Sequence, residues 1–155
     1  MALTFLTPQR IVFGSGEIDN LGREVTSLGR RALVVSGASS MRRTGILDRA
    51  RRALERAGVA VQCFDRVEHD PSLETVDAAL DEARKAQADV VISLGGGSAL
   101  DVAKSAAALA DKPGGVADYF AGRRAIEAPG LPFVGVPTTS GTGAEITHAR
   151  LAAAR

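Results

Sequence analysis

Cysteine is almost missing from this sequence. Cys63 is the only thiol in 155 residues, so a single chain can build neither a disulfide framework nor a thiolate metal cluster. There is no tryptophan, and aromatic residues make up 4%, which leaves few platforms for stacking the bases of single-stranded nucleic acid. Charge of one sign is also lacking, because 19 Lys and Arg stand against 18 Asp and Glu, a formal net charge of +1. No overall field therefore recruits nucleic acid or an anionic membrane. No apolar run approaches the length needed to span a bilayer. The opening eight residues, ending at Pro8, have neither the basic flank nor the apolar stretch of a signal peptide. The expectation is a soluble, cytoplasmic protein with no nucleic-acid or membrane partner.

What is present is an alternation. Hydrophobic residues reach 45%, enough for one buried core. Short apolar runs occur at Ile11–Phe13, Ala32–Val35, Val59–Phe64, Val90–Leu94 and Phe133–Val136. They are continuous rather than alternating, as in strands covered on both faces of a parallel sheet. Helical spacing fills the intervals. Ile18, Leu21, Val25 and Leu28 make one stripe, stopped by Gly29. Ile46, Leu47, Ala50, Ala53, Leu54 and Ala57 make a second, stopped by Gly58. Leu73, Val76, Leu80 and Ala83 make a third, with Ser72 placed as its N-cap. A fourth runs from Ser98 to about Ala110, with an alanine face opposite Asp101, Lys104 and Ser105. Repeated strand–helix units with short connections predict an α/β fold with a parallel sheet flanked by helices. Residues 111–131 read as a long connection with at most one short helical turn.

The most informative stretch is Gly95-Gly96-Gly97-Ser98-Ala99-Leu100-Asp101-Val102-Ala103-Lys104, which follows the buried run Val90–Leu94 directly. A strand empties into three glycines and a helix begins at once. Ligands of open parallel sheets bind beyond the carboxyl ends of the strands, where such turns sit. Glycines let a phosphate approach the main chain without a Cβ in the way. The first helical turn offers unpaired N–H groups and the positive end of the dipole. Ser98 can cap the helix or donate to a phosphate oxygen. A glycine triplet also serves as a plain tight turn, and this spacing fits neither the G-x-G-x-x-G nor the G-x-x-x-x-G-K-[ST] pattern.

A second stretch repeats the arrangement. Val136-Pro137-Thr138-Thr139-Ser140-Gly141-Thr142-Gly143-Ala144-Glu145-Ile146-Thr147 leads from an apolar run into glycines and hydroxyls. Such groups orient a diphosphate, ribose or amide. Two turns of this kind on one sheet edge predict a nucleotide pocket.

Together GGGSALDVAK and PTTSGTGAEIT resemble the two cofactor motifs of the iron-containing (group III) alcohol dehydrogenases. RIVFGSGEIDNLG, ALVVSG and HDPSLETVDAAL extend the likeness over residues 10–147. The resemblance implies a Rossmann-like dinucleotide-binding domain over residues 1–148, followed by an atypical Ala/Arg tail at 149–155. It implies reversible hydride transfer between an alcohol or polyol and its carbonyl form, with NADP or NAD as cofactor. Carried over by motif, Gly96, Gly97 and Ser98 hold the diphosphate, and Gly95 is counted with Gly37 among the cofactor-binding residues. Thr138, Thr139, Thr142 and Thr147 contact the nucleotide from the second turn. Asp101 lies toward the nicotinamide, and Asp70 lies where the family has Asn or Asp near the adenosine.

Three departures stand out. Gly37 replaces the Asp with which NAD-preferring members end this strand, which removes a repulsion from a 2′-phosphate. Ser39, Ser40, Arg42 and Arg43 follow at once, so NADPH use is expected. Ala144 stands where the family often has Ser. Finally, the family continues into an all-helical domain that carries an Asp and three His as ligands for Fe2+ or Zn2+, whereas this sequence offers only His69 and His148. The expectation is a chain that binds nucleotide but is inactive alone, with no catalytic or metal-ligating residue of its own and a capacity to self-associate. Two alternatives are a non-catalytic nucleotide-binding or assembly protein and a fragment of a dehydroquinate synthase-like enzyme.

Overall fold

A computed structural model of the chain describes residues 9–139. After a 3-10 turn at Glu17–Asn20 come α1 (Leu21–Val25), β1 (Arg31–Gly37), α2 (Ser40–Arg43) and α3 (Ile46–Arg56). They are followed by β2 (Ala60–Val67), α4 (Leu73–Lys85), β3 (Val90–Gly95), α5 (Gly97–Leu109), α6 (Val116–Phe120) and β4 (Phe133–Pro137). The four strands form one sheet in the order β2-β1-β3-β4, and every pairing is parallel. This is the α/β, Rossmann-like sheet that the alternation predicts.

Burial follows strand position. β1 and β3 lie inside the sheet, and Ala32–Ser36 and all of β3 are buried. Their side chains divide between two cores. Leu33, Val35 and Val91 pack with Phe64, Val76, Leu80, Val102 and Leu109 against α4 and α5. Ala32, Val34, Val90, Ile92 and Leu94 pack on the other face with Leu21, Val25, Leu47 and Leu54 from α1 and α3. A strand with both faces covered is apolar nearly throughout, which accounts for the runs, and Ser36 and Ser93 are the buried polar exceptions. β2 is an edge strand and alternates, burying Phe64 and Val67 while leaving other positions wetter.

Local chemistry sets the helix limits. Ser72 Oγ accepts from the Thr75 N–H at 3.2 Å, so the N-cap of α4 is formed. α3 closes with Val59 N–H donating to Leu54 O at 3.1 Å around Gly58, whose φ is +75°. At the start of β1, Asp89 Oδ1 accepts from the N–H groups of Arg30 and Arg31 at 2.8 and 2.7 Å. The 111–131 connection contains one short helix, α6, as expected. It is tied to α4 and α5 by Arg84, which donates to the carbonyl oxygens of Leu109 and Gly114 at 3.2 and 2.9 Å.

Two expectations are corrected. Ile11–Phe13 form no strand; Ile11 is 72% and Phe13 99% exposed, and no described strand pairs with them. Apolar character alone does not make a strand, which needs a neighbouring ladder. The polar side of α5 is also narrower than its spacing suggests. Asp101 is exposed, but Lys104 and Ser105 are buried. α5 is covered by the sheet and by α4, so Lys104 lays its stem along apolar surface. Its ammonium reaches 5.9 Å from the Phe133 ring centroid.

Candidate nucleotide-binding cleft

Parallel pairing brings four strand ends to one sheet edge. Gly37 pairs with Val67, Ser36 with Leu94, and Gly95 with Pro137. The chain passes from β1 outward to β2, then returns to place β3 on β1's other side. Strand order therefore reverses between β1 and β3, the point at which an open α/β sheet leaves a crevice. A cleft opens there, lined after β1 by Gly37, Ala38, Ser39 and Ser40 and after β2 by Val67, Glu68 and His69. Gly95, Gly96, Gly97, Ser98 and Ala99 line it after β3, and Thr139 after β4.

The glycine turn has the backbone that a ligand cradle needs. Gly95 has φ +152°, and a Cβ there would sit 3.1 Å from Ala99 Cβ. Gly96 is the N-cap of α5 and supplies no side-chain hydrogen bond to it. The helix's first backbone bond runs from Leu100 N–H to Gly96 O at 3.1 Å. The N–H groups of Gly97, Ser98 and Ala99 thus lie in the turn that has no acceptor within the helix. A Cβ on Gly97 would meet nothing within 4 Å. This is an open, electropositive cradle shaped for an anion.

The described start of the second stretch lies against the first turn. Thr138 N–H donates to Gly95 O at 3.0 Å. Thr139 lies so near Gly96 that a Cβ there would be 3.2 Å from its Oγ1. Of the residues singled out in the sequence, the cleft gathers Gly37, Gly95, Gly96, Gly97, Ser98 and Thr139. Thr138 bonds to the cradle without lining the cleft. Asp101 sits one turn into α5, away from the lining. Asp70, at φ +54°, lies beside the rim, with its Oδ2 2.9 Å from His69 Nδ1 on an open surface. Thr142, Thr147, Ala144, His148 and the 149–155 tail lie outside the described residues.

Glu68 and His69 line the cleft without having been foreseen. Glu68 Oε1 accepts from Thr75 Oγ1 at 2.6 Å and from the Ser72 N–H at 3.1 Å. These bonds, the hydroxyl's first, hold its carboxyl below the usual carboxylate range. Neither of the paired basic residues after β1 lines the cleft; Arg42 donates from Nε to Asp65 Oδ2 on β2. Among the described residues, no group of three or more His, Cys, Asp or Glu could hold a metal ion, so these residues do not fit a metal centre. No described helix is long and apolar enough to cross a membrane.

Comparison with known proteins agrees with the geometry. The chain is 42% identical over 147 residues to long-chain-alcohol dehydrogenase 1 of Geobacillus thermodenitrificans, covering 90% of this chain and 37% of that protein. It is 33% identical to an NADPH-dependent butanol dehydrogenase of Clostridium saccharobutylicum, covering 94% of this chain and 37% of the relative. The crystal structure of NADH-dependent butanol dehydrogenase A of Thermotoga maritima superposes with a TM-score of 0.87 at 34% identity, over 94% of this chain and 36% of that one. The chain therefore spans little more than a third of the length of these relatives. The family model described as iron-containing alcohol dehydrogenase matches residues 8–153, and the chain belongs to that family.

Proposed function

We propose that this chain is a nicotinamide-dinucleotide-binding unit of a metal-dependent alcohol dehydrogenase, and that residues 1–148 form its binding domain. The observation that carries the reading is the meeting of two turns at the sheet's switch point. There the open first turn of α5 lies against Thr139, with Gly37 beside them at the end of β1.

In this reading the N–H groups of Gly97, Ser98 and Ala99, with the Ser98 hydroxyl, hold the diphosphate. Thr138 and Thr139, with Thr142 and Thr147, orient the nucleotide from the second turn. Asp101 lies toward the nicotinamide and Asp70 toward the adenosine. Gly37 leaves room for a 2′-phosphate, since a Cβ there would make only an ordinary contact, 3.7 Å from Val67 O. NADPH is therefore admitted as well as NADH, and relatives of both cofactor types are among those matched. The bound dinucleotide supplies hydride acceptance and donation. The described residues supply binding and orientation. No electrophile for an alcohol oxygen is found among them, so the isolated chain binds cofactor without turning over alcohol.

Titration of the purified chain with NADPH and NADH, followed by the fluorescence of the reduced cofactor, tests this. Saturable binding is expected, with no alcohol-dependent reduction of NADP+ or NAD+. A folded chain that binds neither cofactor would refute the reading of the cleft. Turnover that survives metal chelation would refute the claim of inactivity.

A further inference from the structure

The wall of the cleft after β1 is polar but uncharged. Ser39 and Ser40 contribute hydroxyls, and no Lys or Arg lines the cleft among the described residues. Arg42 follows Ser40 by two residues on the same short helix, yet its guanidinium is committed elsewhere. Its Nε donates to Asp65 Oδ2 on the edge strand β2. Arg42 is 66% exposed and Asp65 17%, so the carboxylate is the fixed partner and the arginine the movable one. Asp65 also holds the guanidinium proton more firmly than usual, through the hydrogen bond first and charge second. The neighbouring Arg43 is exposed and has no ion-pair partner among the described residues.

We infer that Asp65 is a positioning residue for cofactor choice: by holding Arg42 against β2, it withholds from the cleft the cation placed to read a 2′-phosphate. This rests on the cleft being the dinucleotide site. Gly37 makes room for the phosphate, and Asp65 keeps the chain from exploiting that room. Discrimination between NADPH and NADH in the native sequence is accordingly weak.

With its arginine side in solvent, this ion pair competes with about 1 kcal/mol, which corresponds to roughly fivefold in a dissociation constant. Asp65→Asn is therefore expected to tighten NADPH about fivefold while leaving NADH unchanged. Arg42→Ala alone costs little, because the arginine is already withheld, and Arg42→Ala in the Asp65→Asn background abolishes the gain. Arg43→Ala leaves the gain in place.

The measurement is a set of NADPH and NADH titrations on the full chain and these variants, with a circular dichroism melt of each. A gain that persists without Arg42 would show that Asp65 acts only as a distant negative charge, and would overturn the inference. Equal shifts for both cofactors, or none, would overturn it as well. So would a large NADPH-specific loss from Arg42→Ala alone, an arm that does not depend on Asp65→Asn folding. A native chain that binds NADH while the NADPH ratio stays fixed removes this inference only. A native chain that binds neither cofactor removes the cleft reading with it.

Discussion

Replacing Gly97 by Ala separates folding from binding at a single atom. Gly97 opens α5 with a backbone that other residues adopt, and its Cβ would enter open space. Alanine there loses less chain entropy on folding and favours the helix, so Gly97→Ala stabilises by about 0.4–1 kcal/mol. For a domain of this size that raises Tm by about 1–4 °C. The same methyl stands in the cleft where an anion would approach the N–H groups of Gly97, Ser98 and Ala99. A hydrogen bond to a charged group contributes about 1.5–3 kcal/mol, so losing one weakens dinucleotide binding by roughly ten- to a hundredfold. Gly95→Ala is the contrast, because a side chain there meets both φ +152° and a 3.1 Å contact with Ala99; it lowers Tm. Circular dichroism melts and cofactor titrations read both quantities on the same samples. A Gly97→Ala chain that melts higher but binds as tightly as the parent would place the phosphates elsewhere. One that melts lower would contradict the geometry of the turn.

Asp89→Ala removes the acceptor for two main-chain N–H groups at the start of β1, and is expected to cost about 1–3 kcal/mol in urea denaturation. Cys63 is half-buried, and burial first, then the nearby Asp65 carboxylate, push its thiol up; iodoacetamide should alkylate it more slowly in the folded chain than after denaturation at the same pH. Glu68 titrates low in the folded state because it accepts from Thr75 and Ser72, so its contribution is present above the ordinary carboxylate range and is lost as pH falls through the folded value. The Tm difference between the native chain and Thr75→Val should therefore be full at pH 7 and shrink below about pH 4.

The sequence is most readable where burial is complete on both sides. β1 and β3 are central, so their buried stretches are apolar except for Ser36 and Ser93, and their positions could be read directly. β2 is different. Its apolar run stops at Phe64, but the strand continues through Asp65 and Arg66 to Val67, because on an edge strand neither of these two consecutive charged residues is fully buried. The Arg66 guanidinium even returns to lie 4.8 Å from the Phe64 ring centroid. Those three extra residues carry Glu68 and His69 to the sheet's carboxyl edge, which is why both were missed as cleft residues. Ile11–Phe13 shows the opposite failure, in which composition suggests a strand but no described neighbour completes one.

The glycine cradle was legible because its requirements are local: a strand end, residues without Cβ and a helix start within a few positions. The charges around it were not. Arg42 stands two residues from Ser40, and that nearness suggests a phosphate contact. Its partner Asp65 lies 23 residues away and reaches it only because β1 and β2 pair in parallel. The remaining titratable groups of the cleft have their partners close by in sequence. Glu68 is bound to Thr75 and Ser72, and His69 stands 2.9 Å from Asp70. Arg42 and Glu68 are thus occupied by neighbours in the fold, and what the cleft lining offers a ligand is chiefly main-chain N–H, hydroxyl and empty space. That combination suits holding a phosphate-bearing cofactor, the role proposed for these described residues.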